Sequence, residues 1–309
     1  METSTPQDTA PANATGAAGG ARTAGSVPTR RVSFEDSLAE LPVHFAADGD
    51  LILSHFFATL SSVFPDGEEY FVRSVRHHRD RVDDPTLRRQ VAGFIGQESV
   101  HGREHRVLND RLAELGYPTQ RYERLTRWAL TTRERIVPPI GNLAATAAME
   151  HFTATLAELA LTDDEARRLP GPVVGDVFTW HALEESEHKA VAFDVYRAAG
   201  GSERLRIWTM KLLRIGLVVG ISFLTAMSLL GDRATYRPGR LRRSWVHFRR
   251  TPMFRREVWD QLCDYDRVGF HPDDSDTEAL VETWRHELFG DEGRLTPLLA
   301  GGAREGSAP

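Results

Sequence analysis

Residues 178–195 read FTWHALEESEHKAVAFDV. His181, Glu185 and His188 fall there at i, i+4 and i+7, the spacing that puts side chains on one stripe of an α-helix. The stripe continues into Ala192 and Val195, so the polar residues sit on the face expected to be buried. One glutamate and two histidines facing a core need partners, and a bound metal satisfies all of them at once.

One helix cannot complete a metal site. Glu98-Ser99-Val100-His101 repeats the Glu-x-x-His spacing of Glu185-Ser186-Glu187-His188, and Glu68 and Glu150 stand among apolar helical neighbours. Helical bundles that hold two metals draw one glutamate from each of two helices and one Glu-x-x-His from each of the other two. The chain carries that set in the order Glu, Glu-x-x-His, Glu, Glu-x-x-His. The expected fold is therefore all-α, a ferritin-like four-helix bundle core with additional C-terminal helices. Glu68, Glu98, His101, Glu150, His181, Glu185 and His188 are its metal-binding and catalytic residues.

The helical faces decide between neighbouring carboxylates. Phe71, Val72 and Val75 lie at +3, +4 and +7 from Glu68, whereas the same offsets from Glu69 reach Arg73 and Arg76. Glu68 is thus the inward residue and Glu69 the solvated one. Glu184 could replace Glu185 on a rotated helix, but Glu185 preserves the Glu-x-x-His spacing. His105, one turn beyond His101, and His151, beside Glu150, fit supporting or core positions better than ligation. His55, His77 and His78 read as structural or solvated, and His271 as a turn residue in Phe270-His271-Pro272-Asp273.

The remaining chain fills in around this core. At 309 residues and 41% hydrophobic, it is long enough for one large helical domain. Residues 1–31, rich in Ala, Thr, Gly, Pro and Ser, are expected to be disordered, 32–298 to form a single all-helical metal-binding domain, and 299–309 to be a flexible tail. A first helix from 48 to 63 is expected to stop at Pro65-Asp66-Gly67, with a second starting at Glu68. Asp83-Asp84-Pro85 marks the start of the first Glu-x-x-His helix. Residues 141–161 form a small-residue helix with Glu150 inward.

Ile215 to Leu230 gives sixteen residues without a charge, slightly short of the roughly 20 that span a bilayer. A buried or interface helix is expected, with membrane-surface contact through 205–230 as the second reading. Residues 237–256 carry many arginines around Trp245 and Phe248, read as a solvated face balanced by acids between Asp266 and Glu282. With 38 Lys and Arg against 44 Asp and Glu, the net charge is −6, so no global basic excess suggests nucleic acid. Cys263 is the single cysteine, which excludes intrachain disulfides and suits a reducing cytoplasm.

Over residues 32–298 the chain also resembles a bacterial family named "predicted metal-dependent hydrolase". FPDGEEYFVRSVR (64–76), FIGQESVHGREH (94–105), the segment Ala147 to Phe152, WHALEESEHKAVAFDVY (180–196) and GFHPDD (269–274) carry the resemblance. Glu69 departs from it, since a basic or polar residue is usual there. The pattern His-x-x-x-Glu-x-x-His of 181–188 also resembles the last metal-binding helix of di-iron arylamine N-oxygenases. The family resemblance implies a metal and a ferritin-like bundle. The ligand set suits two metal ions, iron before manganese or zinc. The apolar helix 215–230, expected to border the cavity at the bundle's open end, suits a small, partly apolar substrate. The favoured activity is oxygenase or oxidase chemistry fed by an external electron donor. The alternative is a two-metal hydrolase acting on an ester or phosphate.

Overall fold

The computed structural model describes residues 27–300 and is all-helical; among these residues the only β-type pairing is one isolated antiparallel bridge, Val32 to Leu299. The helices, in chain order, are α1 Glu35–Leu38, α2 Leu51–His78, α3 Pro85–Glu114, α4 Thr119–Ile136, α5 Pro139–Thr162, α6 Asp164–Arg168, α7 Pro172–His188, α8 Val191–Ala198, α9 Glu203–Gly231, α10 Arg240–Phe248, α11 Arg256–Asp264 and α12 Glu278–Phe289. Four of them, α2, α3, α5 and α7, carry the inward glutamates and histidines. α9 lies against α2 and α5.

The helix starts follow local chemistry. Asp50 caps α2 by accepting from Leu53 N (3.0 Å), and Asp84 caps α3 by accepting from Thr86 N (2.8 Å), with Pro85 in the first turn, where its missing N–H costs nothing. Gly171 precedes α7 at φ 80°, and a Cβ there would lie 2.1 Å from the Phe45 carbonyl oxygen. That turn therefore requires glycine on two counts.

Three sequence expectations are corrected. Pro65 does not stop a helix: α2 runs unbroken through it from Leu51 to His78. Proline removes the N–H that would bond to the Ser61 carbonyl, and Asn109 on α3 supplies the replacement donor, its Nδ2 reaching Ser61 O at 3.1 Å. The proline penalty is thus offset by a tertiary contact. Second, the motif helix is interrupted by a turn at Lys189–Ala190. Ala192 and Val195 stay buried, but on α8, in an apolar cluster with Phe94 and Leu143.

Third, the ends of the expected disordered segments are packed. Arg30 pairs with Glu184 and Glu187 at 3.0 and 2.8 Å, and Val27 packs on the cluster that holds Phe94. Leu299 pairs with Val32, and Ala300 N donates to Arg31 O at 2.7 Å. The rest of those segments, 1–26 and 301–309, lies outside the described residues.

Replacing Asn109 by alanine should strand the Ser61 carbonyl inside the bundle. A stability loss of about 1–3 kcal/mol is expected from the unmade hydrogen bond, read from denaturant unfolding. An unchanged midpoint would show that Asn109 is not what permits Pro65 in the helix.

Candidate metal centre

The helical spacing brings the sequence-selected residues to one level of the bundle. Glu68 from α2, Glu98 and His101 from α3, Glu150 from α5, and His181, Glu185 and His188 from α7 are all buried there. His188 Nε2 lies 3.2 Å from Glu98 Oε1, 3.4 Å from Glu150 Oε2 and 3.4 Å from Glu185 Oε1. His101 Nδ1 is 3.5 Å from Glu98 Oε1 and 3.7 Å from Glu185 Oε1. His181 Nε2 is 2.9 Å from Glu185 Oε1 and 3.8 Å from Glu68 Oε1.

These atoms converge without satisfying one another. Both carboxylate oxygens of Glu68, Glu98 and Glu150, together with His101 Nδ1 and His188 Nε2, are buried with no hydrogen-bond partner among the described residues. A buried polar atom left unpaired costs about 1–3 kcal/mol, more if charged, so a whole set of them marks a place for cations. Donor type agrees, since carboxylate and imidazole suit divalent iron, manganese and zinc.

Each histidine's other nitrogen is engaged behind the cluster. His101 Nε2 meets Glu184 Oε2 at 3.0 Å, and because a carboxylate accepts, the imidazole donates there. Gln97 Nε2 donates to Pro28 O and Glu187 Oε2, which turns Gln97 Oε1 toward His188 Nδ1 at 2.7 Å.

The third case is the longest chain. Asn109 Nδ2 donates to Ser61 O and to Glu123 Oε1 (2.7 Å), so Asn109 Oδ1 accepts from the Ser61 hydroxyl (2.7 Å). Ser61 Oγ then accepts from His105 Nδ1 (2.9 Å), and His105 Nε2 accepts from His181 Nδ1 (2.8 Å). In all three histidines the inward nitrogen is left as the free ligand position, the arrangement that fixes the tautomer of metal-binding imidazoles. Neutral His181 would then point a lone pair at a Glu185 oxygen 2.9 Å away, a repulsive contact unless a cation lies beside both.

Electrostatics carry the same mark. Burial, then the nearby Glu98, Glu185 and Glu150 carboxylates, pushes Glu68 well above the usual carboxylate range; burial also raises Glu98, and burial with Glu185 lifts Glu150 to about 8. Burial opposes charge on His101 and His188, but the pull of the carboxylates beside them outweighs it and holds both well above the ordinary value. Glu185 is held well below its ordinary value, chiefly because the charged His188 beside it outweighs burial. His181 is lowered to about 4 by burial and by His101, and His105 well below its ordinary value by burial and by His181. Without cations, the cluster approaches neutrality only by holding protons.

A cavity of about 380 Å³ meets the cluster on one side, where Glu68, His181 and Glu185 form part of its wall. The rest is mostly apolar, including Phe64, Phe71, Leu130, Met149, Phe152 and Phe178. Leu213, Gly216 and Leu217 of α9 close another side.

Glu69 lies on the surface, bonded to Arg106 at 2.7 Å, as its helical face predicted. Glu184 faces Arg30 and His101 rather than the centre. His151 is remote from the cluster, its Nε2 3.0 Å from Gln261 O, and His271 holds Asp194 and caps its own turn. His55 is structural, bonded to Ser228 and Asp232.

Sequence reasoning missed Gln97, Thr153, Ser61, Asn109 and Arg30. Thr153, whose hydroxyl donates to Glu185 Oε2, stands three residues after Glu150, and that spacing was the one available signal. Gly102 was missed as well: a Cβ there would lie 3.3 Å from Glu68 Oε2 and 3.7 Å from Pro65 Cα. Its bare backbone lets α2 and α3 approach beside the carboxylate.

A family model described as "Predicted metal-dependent hydrolase" matches residues 28–276. No curated protein and no solved structure matches the chain.

Glu150 binds a proton up to about pH 8 in the folded chain, against an ordinary value of 4.5. Between those values the folded state holds a proton that the unfolded state has released, so stability falls as pH rises. The raised Glu68, Glu98, His101 and His188 act in the same sense. His181 and His105 act oppositely only below about 6.5, and Glu185 only below 4.5. Chelator-treated protein should therefore lose Tm from about pH 6.5 to 8, whereas metal-loaded protein should not, because the metal displaces those protons. Glu150→Gln should flatten the fall, and a Tm rising with pH in chelated protein would contradict this assignment.

Proposed function

We propose, from the premise that this chain belongs to the family of predicted metal-dependent hydrolases, that it holds two divalent metals and uses them to oxidise a small, partly apolar substrate with O₂. Residues 32–298 would form one ferritin-like metal-binding domain. Glu98 belongs both to the group with Glu68 and His101 and to the group with Glu185 and His188, while Glu185 also joins His101 and His181. Glu98 and Glu185 would therefore help to hold both metals, with Glu68, His101 and His181 completing the set at one end and Glu150 with His188 at the other.

Two irons held this way would supply the electrons and open positions that O₂ reduction needs, renewed by an external donor. A reducing cytoplasm would keep the iron divalent. His181 adds a ligand without negative charge at the cavity end, the feature behind the likeness to arylamine N-oxygenases. Glu68, His181 and Glu185 would face the substrate, the aromatic wall would exclude water, and Thr153 would orient Glu185.

The carrying observation is the cavity. Its lining residues outside the cluster include only two charged side chains, Arg133 and Arg167, each bonded to a backbone carbonyl. That lining offers an apolar substrate surface and no free acid or base for a leaving group. Hydrolysis is the second reading, favoured by the family description, with a metal-bound water attacking an ester or phosphate.

Metal analysis of protein purified without chelator should give two irons per chain, and anaerobic Fe(II) loading followed by O₂ should consume it. One metal or none would undercut the centre. Zinc-loaded protein that cleaves simple esters without O₂, and loses this on Glu98→Ala, would transfer the assignment to hydrolysis. Alanine at Glu98, His101, Glu150, Glu185 or His188 should cut metal content severely, while Glu69→Ala should change almost nothing. His181→Ala should keep most of its metal yet lose substrate oxidation; unchanged O₂ reactivity in that variant would make His181 a core residue.

A further inference from the structure

α9 is long and apolar enough to cross a membrane by length and composition, yet it is tied to the protein along its inner face. Arg206 donates to Tyr265 O and Arg214 to Leu262 O and Asp266, while Ser228 bonds His55. A spanning helix would have to give up these bonds. The outer face is different: Trp208, Leu212, Ile215, Val219, Phe223 and Leu230 are 57–69% exposed. From Leu212 to Gly231 the helix has no charged residue except buried Arg214. Soluble monomers rarely leave so long an apolar stripe in water.

Charge at the end of the stripe identifies its occupant. Residues 233–256, which follow α9, contain no Asp or Glu. Arg233, Arg237, Arg242, Arg243, Arg249 and Arg250 are exposed and make no ion pair among the described residues. This corrects the expectation that acids from Asp266 to Glu282 balance them. Asp266 pairs with Arg214, Asp274 with Arg267, and Glu282 with Arg285. Exposed Tyr236 and Trp245 lie within the arginine run. Apolar stripe, interfacial aromatics and unpaired arginines together are the signature of a surface-lying amphipathic anchor.

We infer that α9 and the arginines after it dock this protein on an anionic lipid bilayer, with α9 lying in the plane of the surface. The aliphatic outer face enters the acyl boundary, and the arginines meet lipid phosphates. The inner face of the same helix lines the apolar cavity through Leu213, Gly216 and Leu217. Docking would therefore set that cavity one helix away from the lipid.

Flotation of the full chain with phosphatidylcholine vesicles, with and without phosphatidylglycerol, tests this apart from any catalytic assignment. Binding should be strong on the anionic vesicles and at least about tenfold weaker on neutral ones or for Arg242→Glu/Arg243→Glu, since each basic residue near an anionic surface contributes several-fold. Ile215→Ser/Phe223→Ser, both at exposed positions, should weaken binding comparably while circular dichroism stays unchanged. Absence of flotation, or flotation indifferent to the Ile215→Ser/Phe223→Ser change, would overturn the inference. So would a concentration-dependent dimer in analytical ultracentrifugation that Phe223→Ser dissolves, because a second copy would then cover the stripe.

Discussion

Four glutamates and three histidines desolvated at one level of a helical bundle set the terms for everything around them. Removing an ionised group from water costs several kcal/mol even after relaxation, and a domain's whole stability is about 5–15 kcal/mol. Several unpaired carboxylates would consume it. The cluster can exist only if protons or metal cations neutralise it, and the raised Glu68, Glu98 and Glu150 show the proton version. Metal binding and folding stability are thereby linked in this chain.

Behind the cluster, the hydrogen bonds all point one way. Glu184, Gln97 and His105 each take the outer nitrogen of one histidine and leave the inner nitrogen toward the carboxylates. The longest of these chains begins at a backbone defect: Pro65 frees the Ser61 carbonyl, Asn109 binds it, and the fixed amide sets the hydroxyl of Ser61 and, through it, the imidazoles. A proline inside a helix thus fixes the tautomer of a histidine on another helix. The chain segment before α1 takes part as well, since Arg30 and Arg285 hold the Glu187 that positions Gln97.

The motif residues were legible in the sequence because they obey one local rule, the turn spacing of an α-helix. Two copies of Glu-x-x-His and the face argument for Glu68 over Glu69 needed nothing beyond periodicity. What escaped depends on contacts between segments far apart in the chain. Pro65 looks like a helix stop until Asn109, 44 positions later, supplies its missing donor. Arg30 sits in a stretch whose composition favours disorder, and it is Glu184, Glu187 and the Phe289 ring, all distant in the chain, that recruit it. The turn at Lys189–Ala190 left no mark in the hydrophobic pattern, because Ala192 and Val195 beyond it are buried just as a continued stripe would have them.

The site is also asymmetric, and the asymmetry follows from where apolar bulk was placed. The Glu150 and His188 end is closed by Phe94, whose ring stands 5.0 Å from His188. The His181 end opens on the aromatic cavity, with the Phe64 ring centred 4.7 Å from its imidazole and tilted to it by 51°. The apolar cavity thus meets the cluster at its His181 end, and the proposed substrate would approach there, beside the extra nitrogen donor. A mostly apolar cavity offers little hydrogen bonding for selection, so under the proposed function shape and partition from a lipid-like phase would do most of the selecting. α9 joins these requirements in one element, apolar inward to shape the cavity and apolar outward where such a substrate would be dissolved.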